Sequence, residues 1–285
     1  MGPAPASHTP GRRTTLATWC FAVWSVVRFG LFAALASLVL SLFAIPWVEE
    51  GSWWTAIRRC VSIGAALSLW FSITKLERRS IRSYGFSSSE AGRRQFFFGA
   101  LLGLGALLFM LLIGLVSGAC RIEIVQDRVK LWSTLLGFIP AATIVSVLEE
   151  LVFRGFILQQ LLTYSPLFAV IASSGLYAAV HVKTVTWTMS TAFELVGLFL
   201  LGGVLCLSYL KTQQLYCSVG LHASLAYGAR VNKLLIGFEN SAAGWFVGTS
   251  RLVNGVANWI LLLAIGGILL WWMRPTISVG HATKR

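Results

Sequence analysis

The chain has 285 residues, of which 56% are hydrophobic and only 12% charged, at a mean hydropathy of +0.76. A soluble domain carries about twice that charged fraction, so this composition is that of a polytopic membrane protein. The net charge of +13 then belongs to loops at a lipid surface and not to a nucleic-acid-binding face. The five cysteines (Cys20, Cys60, Cys120, Cys206, Cys217) fall in or near apolar runs without a CxxC pair, which gives neither a disulfide framework nor a zinc knuckle.

In chain order, residues 1–15 are polar and proline-bearing and read as a disordered cytoplasmic tail. Arg12 and Arg13 before an apolar run imitate a twin-arginine export signal, but the run is too long and lacks a small-residue cleavage site, so a retained helix is expected. Residues 16–274 read as one membrane domain, and 275–285 as a second cytoplasmic tail. An interfacial amphipathic piece at Leu16 to Val27 leads into a first span, Phe29 to Val48, and a second covers Ala56 to Thr74. Lys75 to Gln95 carries six Lys and Arg against Glu77 and Glu90, which marks a cytoplasmic loop. A glycine-rich third span, Phe96 to Gly118, suits close helix packing. A linker, Ala119 to Lys130, precedes the fourth helix, Leu136 to Leu162, which Thr163 to Pro166 terminates. Four more helices follow: Leu167 to Trp187, Thr191 to Leu210, Leu215 to Ile236 and Val256 to Met273. The fold class is therefore all-α, a bundle of about eight transmembrane helices. Counting twelve Lys and Arg on one side against eight on the other puts both termini in the cytoplasm, and a plasma (inner) membrane is the expected location.

The fourth helix contains the least expected residues. Leu148-Glu-Glu-Leu-Val-Phe-Arg-Gly155 sets three charges inside an apolar run, where a charge at the bilayer centre costs roughly 2.5 to 3.5 kcal/mol and is usually paired and functional. Glu150 and Arg154 share a helix face and can pair, while Glu149 points about 100° away. Glu149 lies 13 residues before Leu162, and His181 lies 14 after Leu167. Both are therefore about 20 Å from the intervening turn, facing each other on antiparallel neighbours. His222 on the seventh helix is about 12 Å from its start, somewhat shallower. A lone histidine is more often a satisfied core residue, but two in lipid beside a Glu pair favour function.

Two chemistries use such a set: a carboxylate acting as general base on water with histidine assistance, or Glu149, His181 and His222 holding a zinc with an open position. The zincin signature HExxH is absent. No orienting carboxylate or carbonyl is evident locally for either histidine, so no cofactor is expected, with zinc as the alternative. Among other polar residues, Glu194 reads as interfacial, Lys183 and Arg230 as snorkelling, and the twelve tryptophans as an aromatic belt.

The motifs carry a resemblance. Glu149-Glu150-x-x-x-Arg154 resembles the first motif of the CAAX prenyl endopeptidase and bacteriocin-processing (CPBP, or Abi) family of intramembrane glutamic-type proteases. Tyr177-Ala-Ala-Val-His181 is similar to its Phe-x-x-x-His motif, and Leu221-His222 to its third. The resemblance covers about 137–227. It implies that Glu149 activates water, His181 orients it, Glu150 and Arg154 support the site with Tyr177 packing beside it, and His222 serves the oxyanion. The substrate would be a peptide or protein in the bilayer, cut near its C-terminus or membrane-proximal part. Ala226 departs from the family, which has Asn or Asp there; Ser224, Tyr227 or Asn232 are candidate substitutes. That departure keeps a second reading open, a non-catalytic immunity factor or chaperone binding a peptide in the same cavity. A small transporter is disfavoured, because paired broken helices and repeats are absent.

Overall fold

The computed structural model describes residues 16–49, 52–86, 90–124, 127–181, 188–238, 244–248 and 253–272. The two expected tails, Lys183 and the ends anticipated at Trp187 and Met273 lie outside the described residues. The protein is an all-α polytopic membrane bundle. Its elements are α1 (Leu16–Ala44), α2 (Trp53–Phe71), α3 (Glu90–Val116), β1 (Cys120–Ile122), α4 (Arg128–Glu150), α5 (Pro166–His181), α6 (Met189–Thr212), α7 (Tyr216–Leu235), β2 (Ile236–Phe238), α8 (Gly244–Val247) and α9 (Val256–Trp272). α4 runs on through a π-helical segment, Leu151–Leu158, to Leu161.

Among the described residues five helices are long and apolar enough to cross a membrane: α1, α2, α3, α4 with its extension, and α6; α5 and α9 are shorter but apolar. α7 falls in neither group, and its packing explains why. It is wrapped by α3, α4 and α6 and buries Ser218, His222 and Ser224, so its polar side chains face protein.

The chain divides into two compact units, Met1–Leu69 with Gln159–Ala169, and Trp70–Leu158 with Val170–Arg285. In the first, Ser68 Oγ donates to the Phe29 carbonyl at 2.8 Å, joining α2 to α1. The interfacial piece expected at Leu16 to Val27 is not separate. No breaker interrupts Leu16–Ala44, and Phe21 and Trp24 point outward while Ala22 and Ser25 are buried, as in the rest of the span.

In the second unit α3 and α7 pack through glycines. A Cβ on Gly99 would collide with the Cys217 carbonyl and one on Gly220 with the Phe96 carbonyl; on Gly103 it would stand 2.7 Å from Ser224 Cβ. Small residues let the two backbones touch. Beyond their ends the linker expected at Ala119 to Lys130 contributes β1, paired antiparallel with β2 in the register Cys120↔Phe238, Arg121↔Gly237 and Ile122↔Ile236. The basic loop is folded as well. Tyr84 is buried, donates to Glu77 and sits under Arg79; burial and the neighbouring Glu77 push its phenol above the ordinary range. Gly85, at φ +117°, accepts from Leu215 N at 2.9 Å, tying this loop to the start of α7.

Candidate active site

Three elements converge. α4 brings Glu149 and Glu150, the π-helical segment Arg154; α5 brings Tyr177 and His181; α7 brings His222. A π-helical stretch is rare and often sits at functional sites; here it follows directly on the Glu pair and holds Arg154 and Gly155.

The base of the site is a buried ion pair. Arg154 Nη1 donates to Glu150 Oε1 at 2.9 Å, with both side chains fully buried. Arg154 Nη2 donates to the Gly202 carbonyl at 3.1 Å. That contact depends on how closely α6 meets α5, since a Cβ on Gly202 would be 2.9 Å from Ser174 Cα. The guanidinium lies 4.7 Å from the Tyr177 ring centroid and 5.7 Å from that of Phe153, a cation held against aromatic faces. Ser173 Oγ donates to the Phe153 carbonyl at 3.1 Å, fastening α5 to the π-helical segment.

Above this base Glu149 Oε2 stands 3.0 Å from His181 Nε2 and 3.5 Å from His222 Nε2. Glu149 and His181 each keep about 28% of their side-chain surface exposed, His222 only 7%, so the carboxylate is open on one side. The depth count thus brought Glu149 and His181 together, and His222, expected to be shallower, reaches the same oxygen.

The outer partners fix the proton positions. His181 Nδ1 lies 2.8 Å from the Tyr177 carbonyl, which can only accept, so Nδ1 carries a hydrogen. The 3.0 Å contact between Nε2 and Glu149 then needs one proton, on either group. His222 Nδ1 lies 2.9 Å from Glu150 Oε1, which already accepts from Arg154, so this nitrogen also donates. In the neutral ring His222 Nε2 therefore presents a lone pair, 3.5 Å from the Tyr177 hydroxyl. Both histidines have the orienting partners that the sequence does not reveal. His181 has a main-chain carbonyl and His222 a carboxylate; they come from a residue one turn back and from a facing helix, which local flanking residues do not reveal.

A metal is a separate matter. Among the described residues no three His, Cys, Asp or Glu side chains form a group able to hold an ion, and Glu149 Oε2 is turned onto the two imidazoles.

Other candidates sort by position. Glu194, expected near the membrane interface, is buried within the protein close to the start of α6; α9 packs over that turn, with the Phe193 and Trp259 ring centroids 4.7 Å apart and tilted by 37°. Arg230 is exposed beside the Phe138 ring, as snorkelling requires. Of the proposed substitutes for the family amide, Ser224 donates to the Ala100 carbonyl at 3.0 Å and Tyr227 to the Leu135 carbonyl at 3.0 Å. Asn232 is ten residues past His222, about 15 Å along the helix. The hydroxyl that does face His222, Tyr177, was anticipated only as a packing ring.

Residues 131–227 match the type II CAAX prenyl endopeptidase Rce1-like family. The Rce1-like segment begins six residues before the stretch marked out by the motifs and ends with it. It contains every residue of the converging set, and at family level it is of the CAAX intramembrane-protease type. It covers about a third of the chain. No curated protein matches the chain.

Proposed function

We propose that the chain is an intramembrane endopeptidase that uses Glu149 as general base, without a metal, on a peptide or protein delivered through the bilayer. One observation carries it: a partly exposed carboxylate within 3.0 and 3.5 Å of two histidines on two other helices. Glu149 takes a proton from water, whose oxygen attacks the scissile carbonyl. The tetrahedral oxyanion collapses, the C–N bond breaks, and His181 Nε2 delivers its proton to the leaving nitrogen. Starting as carboxylate and imidazolium, the couple ends as carboxylic acid and imidazole. It has taken one proton from water and given one to the leaving nitrogen, and passing the remaining proton from Glu149 back to His181 resets it. Glu150 and Arg154 hold His222 in place.

A cleft of about 450 Å³ supports the choice of substrate. Its lining is Phe86, Arg93, Phe96, Thr143, Val147, Tyr216 and Val219. Val147 and Val219 stand three residues before Glu150 and His222 on their helices, so the cleft ends one turn from the site. Among the described residues its one charged lining group is Arg93, which suits a terminal carboxylate while the aromatic and aliphatic wall suits an apolar segment.

The test uses the whole chain in lipid vesicles, in chelator-washed buffer, with peptides ending in a lipid-modified segment. The parent should cleave them. Glu149→Gln, which keeps shape and removes the base, should abolish cleavage while folding normally. Equal turnover in both would sink the glutamate mechanism. Cleavage that vanishes on chelation and returns with zinc would overturn the metal-free step. If peptide binds both proteins and neither cleaves it, the non-catalytic reading, which Ala226 favours, takes its place.

A further inference from the structure

The oxyanion of the proposed reaction needs a hydrogen-bond donor, and α7 offers none near His222. Within a turn of it, Ser218 donates to the Leu215 carbonyl at 2.9 Å and Ser224 to that of Ala100 at 3.0 Å. A hydroxyl has one O–H to give, so both are spent. Val219, Leu225 and Ala226, on the same face as His222, have no polar atom. His222 itself, with Nδ1–H on Glu150 Oε1, presents a lone pair at Nε2 when neutral.

The Tyr177 hydroxyl is different. The residue is 2% exposed, and its ring is fixed on three sides: edge-on to Phe153 at 5.2 Å, beside His181 at 4.2 Å and against Arg154 at 4.7 Å. Its hydroxyl faces His222 Nε2 at 3.5 Å, the loose limit of a hydrogen bond, and His222 Nε2 is itself 3.5 Å from Glu149 Oε2. We propose that Tyr177 is a catalytic residue: its O–H, resting on His222 Nε2, turns to the developing oxyanion and donates the hydrogen bond that α7 does not supply. A negative oxygen is a stronger acceptor than a neutral imidazole at 3.5 Å, so the donor shifts where charge develops. The Arg154 charge against the ring makes the phenol a better donor. Having Tyr at 177 and Ala at 226 then makes one consistent site, in which His222 orients the hydroxyl.

This inference rests on the endopeptidase reading, and its test keeps the two apart. Tyr177→Phe keeps the ring and its packing and removes one oxygen. Loss of one such donor typically slows turnover about 100- to 1000-fold; the expected result is a kcat lower by about 100-fold or more with KM little changed. A second variant supplies the donor from elsewhere. Ala226 is half-buried and four residues past His222, so Ala226→Asn in the Tyr177→Phe background should recover at least a tenth of the parent kcat. Parent-like kcat in Tyr177→Phe overturns the assignment while loss in Glu149→Gln still upholds the protease. A slow Tyr177→Phe that Ala226→Asn does not rescue also overturns it, because the hydroxyl would then act only through packing. A parent that cleaves nothing removes the endopeptidase reading and this inference with it.

Discussion

The same pair geometry occurs twice in this protein with opposite consequences. Arg94 reaches Glu90, and Arg154 reaches Glu150, each four residues apart and at 2.9 Å. The first pair is mostly exposed and the second fully buried. Arg94→Ala should therefore change stability by no more than about 0.5 kcal/mol. Arg154→Ala strands Glu150 in a low-dielectric interior and should cost about 3 to 5 kcal/mol. It also removes the donor to the Gly202 carbonyl and the cation against Tyr177. Thermal unfolding in detergent compares the two, and a normal melting temperature for Arg154→Ala would contradict the structural role of the pair. Arg154→Lys should recover only part of the loss, since a single ammonium lacks the planar fork that serves two acceptors in different directions. Residue type and spacing were enough to anticipate this pair and the meeting of Glu149 with His181, because a helix fixes both rise and face. They could not anticipate the Glu150–His222 bond or the aim of the Tyr177 hydroxyl, which depend on the rotation of α7 and α5 about their own axes.

That rotation is set at the element scale by the α3–α7 contact, where the glycine pattern gives a sharp comparison. A Cβ on Gly220 would strike the Phe96 carbonyl, whereas one on Gly105 meets nothing within 4 Å. Gly220→Ala should push α7 off α3, displace His222 from Glu149 and lower both yield and turnover by at least tenfold, a rise of about 1.4 kcal/mol or more in the barrier. Gly105→Ala should leave both within about twofold and raise helix propensity slightly. Equal behaviour of the two variants in yield and turnover assays would mean that the close approach does not position the site. The glycine richness of α3 was legible as a packing signal, but not which glycines touch what. Short elements were illegible altogether. The three-residue strands have no periodicity to read, and β1 and β2 exist because α3 and α7 run parallel and end on the same side, which brings the extended segments that follow them together. The break expected near Val27 failed for the opposite reason: an apolar helix facing lipid has no need of an amphipathic stripe, so its exposed aromatics imitate an interfacial piece.

At the scale of the whole molecule, the excess of Lys and Arg predicts which ends of the helices face the cytoplasm. α3 has 27 residues, about 40 Å of helix, enough to put the basic loop before it and the β1 segment after it at opposite faces of a bilayer. Both termini inside would make Ser83 in the basic loop cytoplasmic and Glu123 after β1 external. Both are exposed. Of the five cysteines, Cys20 is exposed and the other four are buried, so Cys20→Ser gives a quiet background for thiol labelling. In vesicles of native sidedness, an impermeant thiol reagent should label Glu123→Cys at once and Ser83→Cys only after permeabilisation. The opposite pattern would invert the chain and move the cleft at Phe86, Arg93 and Tyr216 to the outer face. A substrate carrying its carboxylate to Arg93 would then have to arrive from outside the cell. The basic residues make that arrangement unfavourable, because the loop bearing Lys75, Arg78, Arg79, Arg82, Arg93 and Arg94 gains about 1 kcal/mol per basic residue near anionic lipid of the cytoplasmic leaflet.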